Sequence, residues 1–294
     1  MKPFQYLSPA SISEAVSLLK EYGQEAKVIA GGTDLVVQMR KGSLSPRYVV
    51  DINGIPGLDT IRYDPVRGLT IGALTTVRAL EKSADLRQQY PLISLAASKL
   101  GSVAIRNVAT VGGNLCNAMP IADTAQALLA LSAKVRITGP EGDRVIPLED
   151  FLIGHGKTAL GTGELLREVQ VPVLAPHTKG FYLKQTIRGS IDLAIVNVAV
   201  AITVDPGDAV CKDIRIVLGS VAPTPIRARK AEDVVRGKRL DEDVIGKAAQ
   251  LASEDAHPRP GSIRASGEYK KEMVLVLTGQ LLREAVSSAP SRGE

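Results

Sequence analysis

Two short stretches of this chain carry residue types that can hold a ligand. The first is Ala30-Gly31-Gly32-Thr33-Asp34-Leu35; the second runs from Thr110 through Val111-Gly112-Gly113-Asn114-Leu115-Cys116-Asn117 to Asp123. A glycine pair lets the backbone turn sharply and bares N–H groups that a Cβ would shield. A run of such donors is an anion site, most familiarly for phosphate. Thr33, Thr110, Asn114 and Asn117 add side-chain donors and acceptors, which suit a pyrophosphate and sugar hydroxyls. Either glycine pair alone is also what an ordinary tight turn requires. Asp123, with Gln126 three residues on, reads as the N-cap of a helix and needs no ligand for that role. Taken together, the two loops suggest a large dinucleotide.

The dinucleotide is not held in the Rossmann manner. No G-x-G-x-x-G follows a strand: Gly31-Gly32 lacks the spacing, and Gly161-Thr162-Gly163 lacks the third glycine. Gly156-Lys157-Thr158 ends like a P-loop, but Phe151 stands where the motif needs its first glycine. His155, His177 and His257 are isolated in loops, with no pair at metal-ligand spacing and no serine nucleophile elbow. No metal site and no catalytic acid–base residue is expected. The two cysteines, Cys116 and Cys211, are too few for an iron–sulfur cluster or a disulfide scaffold. Cys116 reads as a small buried side chain, not a redox thiol.

Composition narrows the class further. Aromatic residues make up 3% of the chain and there is no Trp, which argues against stacking on single-stranded nucleic acid. A net charge of +5 spread over 294 residues decides little. No apolar run reaches the roughly 18 residues of a membrane span, and the start has no apolar leader, so a cytoplasmic enzyme or enzyme subunit is expected.

The elements that must position these loops are legible in outline. Ser11-Ile12-Ser13-Glu14 is a capping box opening a helix that Gly23 stops. Strands are expected at Ala26 to Ala30 and Tyr48 to Ile52, with a short helix at Asp34 to Met39. From Gly57 the pattern changes to hairpins (Asp59 to Tyr63 with Gly68 to Ile71, Lys134 to Thr138 with Arg144 to Pro147), helices at Thr75 to Ser83, Pro91 to Leu100 and Thr124 to Leu131, and a strand at Glu164 to Pro172. Val173 to Gly180 reads as a linker. Three strands follow, at Phe181 to Arg188, Leu193 to Val204 and Ile214 to Ser220. Helices come next, at Lys230 to Arg236, Asp241 to Ser253 and Ser266 to Val286, and a disordered tail after Ser287.

At this level of detail the chain resembles the FAD-binding medium subunit of the molybdenum hydroxylases, the family of xanthine dehydrogenase and carbon monoxide dehydrogenase. The resemblance rests on the two glycine motifs, Leu165-Leu166 before Val171-Pro172, Tyr182-Leu183-Lys184, Arg188, Asp192-Leu193-Ala194 and Gly219-Ser220-Val221-Ala222-Pro223-Thr224-Pro225. It implies an α+β fold: a two-part FAD-binding domain of the vanillyl-alcohol-oxidase type over residues 1–175, with subdomains 1–56 and 57–175, then a C-terminal antiparallel sheet with helices over 176–290. It also implies that Val28, Ile29, Ala30, Gly31, Gly32, Thr33, Asp34 and Leu35 carry the first FAD loop. Thr110, Gly113, Asn114 and Asn117 would hold the pyrophosphate and its neighbours, Asp123 the ribityl or ribose hydroxyls. Leu100 and Leu166 would line the cofactor cleft, and Lys184 would reach the flavin end.

The same resemblance implies an oxidoreductase component that takes electrons from [2Fe–2S] clusters of a small partner subunit and passes them through FAD to NAD or another acceptor. A large partner subunit would carry the molybdenum cofactor, in a dimer of heterotrimers. Two other readings stay open: a flavin-free assembly module, and a free-standing FAD oxidoreductase. The intact glycine and asparagine positions count against the first, and the missing acid–base constellation against the second.

Overall fold

The computed structural model describes residues 1–189, 191–205, 210–262 and 264–288. The tail expected to be disordered lies, from residue 289 on, outside the described residues. The chain forms two compact units whose sequences interleave. The first comprises Met1–Leu80, Ser102–Ala118 and Ser132–Pro172; the second comprises Glu81–Gly101, Met119–Leu131 and Val173–Glu294.

The first unit opens with strand β1 (Gln5–Leu7), helix α1 (Ile12–Tyr22), β2 (Ala26–Ile29), α2 (Leu35–Lys41) and β3 (Tyr48–Asp51). The capping box forms: Ser11 Oγ accepts from the Glu14 N–H, and the Glu14 carboxylate from the Ala10 N–H. Gly23, at φ 50°, ends α1. β1, β3 and β2 make a three-stranded parallel sheet in that order, which leaves β2 at an edge and delivers its end to the first glycine pair. Ala15 and Leu19 of α1 pack with Val50, Ile52, Leu58, Leu74 and Leu165 in one apolar core.

Along the chain follow β4 (Ile61–Asp64), β5 (Gly68–Gly72), and helices α3 (Val77–Lys82), α4 (Ala84–Gln89), α5 (Pro91–Ser98), α6 (Val103–Val108), α7 (Val111–Cys116) and α8 (Asp123–Ala130). Then come β6 (Lys134–Gly139), β7 (Gly142–Pro147), α9 (Leu148–Phe151), β8 (Leu152–Gly154), β9 (Lys157–Thr158) and β10 (Leu165–Val171). The five-stranded antiparallel sheet of the first unit has the order β4-β5-β10-β6-β7, with both expected hairpins at its flanks.

The second unit is built on β11 (Thr178–Gln185), β12 (Val196–Val204), β13 (Cys211–Gly219) and β14 (Ile226–Arg227), antiparallel in sequence order, with α10 (Arg229–Val235), α11 (Glu242–Glu254) and α12 (Gly267–Ser287). Val196, Val198, Val200 and Ile202 of β12 enter an apolar core with α10, α11 and α12. Side chains alternate along a strand. Asn197, Ala199 and Ala201 therefore take the opposite face, where Asn197 meets α8.

Two expectations need correction. The linker ends earlier than expected: Thr178, Lys179 and Gly180 already pair with Thr203, Ile202 and Ala201. And the second glycine pair is not in a loop but inside helix α7.

Candidate cofactor site

In the first unit the two glycine motifs meet. Gly31 lies against the Val108 carbonyl and Ala109 so closely that any Cβ there would collide with backbone. Gly32 takes φ 69°, the left-handed region that L side chains avoid. This sharp passage from β2 into α2 leaves the N–H groups of Gly31, Gly32, Thr33, Asp34 and Leu35 without a hydrogen-bond partner among the described residues. Gly31, Gly32, Thr33 and Leu35 are half-buried and Asp34 is exposed. Consecutive unspent amides in a turn are a concavity for an anion. Asn117 comes to the same place: it hydrogen-bonds Asp34, which opposes the upward push of burial on the Asp34 carboxyl.

The second motif behaves differently. Thr110 caps α7, its Oγ1 accepting from the Gly113 N–H at 3.1 Å. The Val111 N–H donates to Thr75 O at 2.9 Å, the Gly112 N–H to Ala73 O at 2.8 Å and the Asn114 N–H to Thr110 O at 2.9 Å. A Cβ on Gly112 would stand 2.7 Å from Ala73 Cβ. This corrects the expectation of two loops of exposed amides: the glycines of α7 serve close packing against the end of β5, and their donors are spent. What α7 offers a ligand is side chains, Asn114 and Asn117, both half-buried. Burial pushes the Cys116 thiol up to about 12, so it stays protonated at neutral pH.

The second unit holds Leu100, Asp123 and Lys184. Asp123 is not an N-cap. Ala122 holds that position and Asp123 is the first helical residue, so its carboxylate is free for other work. Asp123 is 4% exposed, with Oδ2 2.8 Å from Lys184 Nζ and Oδ1 accepting from the Tyr182 hydroxyl at 2.5 Å. Lys184 also donates to Lys99 O at 2.9 Å. Burial pushes the Asp123 carboxyl above the ordinary aspartate range; the Lys184 charge and the Tyr182 and Asn197 donors act against it.

Comparison with known proteins decides the family. Residues 2–174 match the model of the FAD binding domain in molybdopterin dehydrogenase, and residues 181–285 match the CO dehydrogenase flavoprotein C-terminal domain. The chain belongs to this family. It is 32% identical to the xanthine dehydrogenase FAD-binding subunit of Escherichia coli O157:H7, over 97% of this chain and 96% of that protein. It is 34% identical to the carbon monoxide dehydrogenase medium chain of Afipia carboxidovorans, over 99% and 98%. In structure it matches reconstituted CO dehydrogenase from Oligotropha carboxidovorans with a TM-score of 0.90 at 34% identity, covering 98% of each chain.

Membership makes this an FAD-binding subunit of molybdenum hydroxylase type and an oxidoreductase component, as the sequence resemblance implies, with the expected α+β fold. Among the described residues no helix is long and apolar enough to cross a membrane, and no metal-binding cluster occurs.

The expected residues thus fall into two groups. Val28 to Leu35, Thr110, Gly113, Asn114, Asn117 and Leu166 are in the first unit; Leu100, Asp123 and Lys184 are in the second. The donor chemistry fits FAD, since unspent amides suit a pyrophosphate and the Asn side chains suit hydroxyls. Sequence reasoning did not single out Asn197, and read Gln126 only as a capping partner of Asp123. Each has a signal in hindsight: one amide side chain in an otherwise apolar strand, and one in an apolar helix.

Proposed function

We propose that this chain is the electron-transferring flavin subunit of a multi-subunit molybdenum hydroxylase. It would accept electrons from [2Fe–2S] clusters of a small partner subunit and deliver them to NAD or another acceptor. The organic substrate would be oxidised on a large molybdopterin-binding partner, and the complex would be a dimer of heterotrimers in the cytoplasm. The carrying observation is the run of unspent amides from Gly31 to Leu35 in a chain of FAD-binding family.

FAD, when bound, would supply the capacity to take up electrons one at a time and release them as a pair. The chain's own residues bind and orient it. The amides of Gly31 to Leu35, with Val28, Ile29 and Ala30 leading into them, hold the pyrophosphate. Thr110 and Gly113, bonded to each other, would position Asn114 and Asn117 beside it; Leu166 and Leu100 would supply apolar contact, and Asp123 and Lys184 would act at sugar hydroxyls and the flavin. The division of labour follows the sequence, with FAD binding in 1–175, including subdomains 1–56 and 57–175, and a flavoprotein C-terminal domain in 176–290.

The sequence carries no serine nucleophile elbow and no histidine pair at metal-ligand spacing, which supports electron transfer over chemistry on an organic substrate. Flavin fluorescence quenching on titrating the purified full chain tests the reading. Saturable uptake of one FAD is expected, followed by NAD-linked or dye-linked turnover only when both partner subunits are added. No FAD uptake, or substrate oxidation by the chain alone, would overturn it.

A further inference from the structure

The Asp123–Lys184 pair sits at the end of a longer hydrogen-bonded chain within the second unit. Gln126 Nε2 donates to Pro120 O at 3.0 Å and to Asn197 Oδ1 at 3.3 Å. A carbonyl can only accept, so Gln126 must turn its NH2 this way, and Asn197 must then turn its own NH2 away. Asn197 Nδ2 accordingly donates to the Tyr182 hydroxyl oxygen at 2.9 Å and lies 3.5 Å from Asp123 Oδ1. Accepting that hydrogen bond leaves the Tyr182 O–H to donate to Asp123 Oδ1. The direction of every bond is therefore fixed from a main-chain carbonyl outward.

The arrangement is built in. Asn197 and Gln126 are completely buried, and their amides occupy the space that Gly219 leaves: a Cβ on Gly219 would overlap both. Burial and the Asp123 charge hold the Tyr182 phenol well above its ordinary range, so it remains a donor. Lys184 spends N–H groups on Asp123 and on Lys99 O; an ammonium has three. The titratable groups facing Asp123 are Lys184 and Tyr182 of β11; Lys99, Asn197 and Gln126 face the cluster with neutral groups.

We propose that Tyr182, Asn197 and Gln126 are positioning residues that fix the geometry and the ionised state of the Asp123–Lys184 pair, and through it set the reduction potential of bound flavin. This rests on the reading above, in which Asp123 and Lys184 act on FAD. While Asp123 is ionised, the pair is close to neutral. Protonating Asp123 leaves the Lys184 charge uncompensated, which favours the more electron-rich, reduced flavin and raises the potential. Tyr182 supplies the shortest hydrogen bond to the carboxylate, so removing its O–H moves Asp123 protonation to higher pH. Gln126 acts one step further away, through Asn197, and has the smaller effect.

The test is the midpoint potential of the FAD-loaded full chain, measured spectroelectrochemically from about pH 5.5 to 9, for wild type, Tyr182→Phe and Gln126→Leu. The expected result is a break in the potential–pH curve at higher pH in Tyr182→Phe than in wild type, with Gln126→Leu displaced in the same direction but less. A tenfold change in the ratio of affinities for reduced and oxidised FAD reads as about 30 mV for a two-electron couple. Curves that coincide with wild type in both variants would overturn the proposal and leave the network a packing device. If Tyr182→Phe does not fold, Gln126→Leu and Asn197→Ser decide by the same criterion. A wild-type chain that takes up no FAD would instead remove the flavin reading, and this inference with it.

Discussion

The two Gly-Gly pairs of the first unit share a dipeptide and differ in almost everything else. At Gly31-Gly32 the backbone turns through a left-handed residue and leaves the amides up to Leu35 without partners. At Gly112-Gly113 the same dipeptide lies in a helix, and its amides are committed to Ala73 and Thr110. Both places need glycine for close approach, Gly31 at the Val108 carbonyl and Gly112 at Ala73. A glycine pair therefore reports that something comes near. Whether that something is a ligand or the chain itself depends on where the neighbouring N–H groups go.

The largest expected effects break the approach they share. Gly31→Ala and Gly112→Ala each push a methyl group into backbone or Ala73, and each should destabilise the chain by about 3 kcal/mol, the upper range for overpacking. Urea unfolding of the FAD-free chain checks this; a loss below about 1 kcal/mol in either would mean the packing is looser than described. Gly32→Ala comes next. A Cβ at φ 69° costs about 1–2 kcal/mol, and it also reorients the unspent amides, so FAD affinity should fall at least about tenfold.

Smaller substitutions sharpen the contrast. Thr110→Ala removes a helix cap and should cost about 1 kcal/mol. Thr33→Ala touches no such bond and should stay within about 0.5 kcal/mol in stability while weakening FAD binding. Equal stability losses at the two threonines would erase the distinction.

A control in the same unit touches neither glycine pair. Arg144 grips Glu164 through two contacts of 2.7 Å and holds its carboxyl below the usual glutamate range of about 4.5. A carboxyl with a lowered folded-state pKa contributes stability above its unfolded pKa and loses it as pH falls through the folded value. Glu164→Gln should thus cost stability near pH 7 and progressively less below about pH 4.5. Because Arg144 is 40% exposed, the effect should stay under about 1 kcal/mol. Melting temperatures against pH for the two proteins decide it.

Much of the fold was legible because local signals agreed with the tertiary outcome. Ser11 with Glu14 and Gly23 bounded α1, and Gly139-Pro140 marked the β6–β7 turn, which the Gly139–Gly142 pairing closes. Helix α7 was not legible. Glycine is the poorest helix former after proline, by about 1 kcal/mol per residue, and α7 carries two; its start is held by the carbonyls of Ala73 and Thr75, which no local pattern announces. The cofactor loops were visible as motifs, but their different roles were not, since hydrogen-bond partners are a property of the folded chain. Asp123 shows the same limit: the sequence pattern of an N-cap was present, yet the carboxylate went to Tyr182 and Lys184, 59 and 61 residues away.

Amide hydrogen exchange of the full chain with and without FAD tests the central claim most directly. The amides of Gly31 to Leu35 should exchange fast in the FAD-free chain and become strongly protected on binding, while those of Val111 to Asn114, already bonded within the chain, should change little. Protection appearing at Val111 to Asn114 with Gly31 to Leu35 unchanged would contradict the assignment of the anion site.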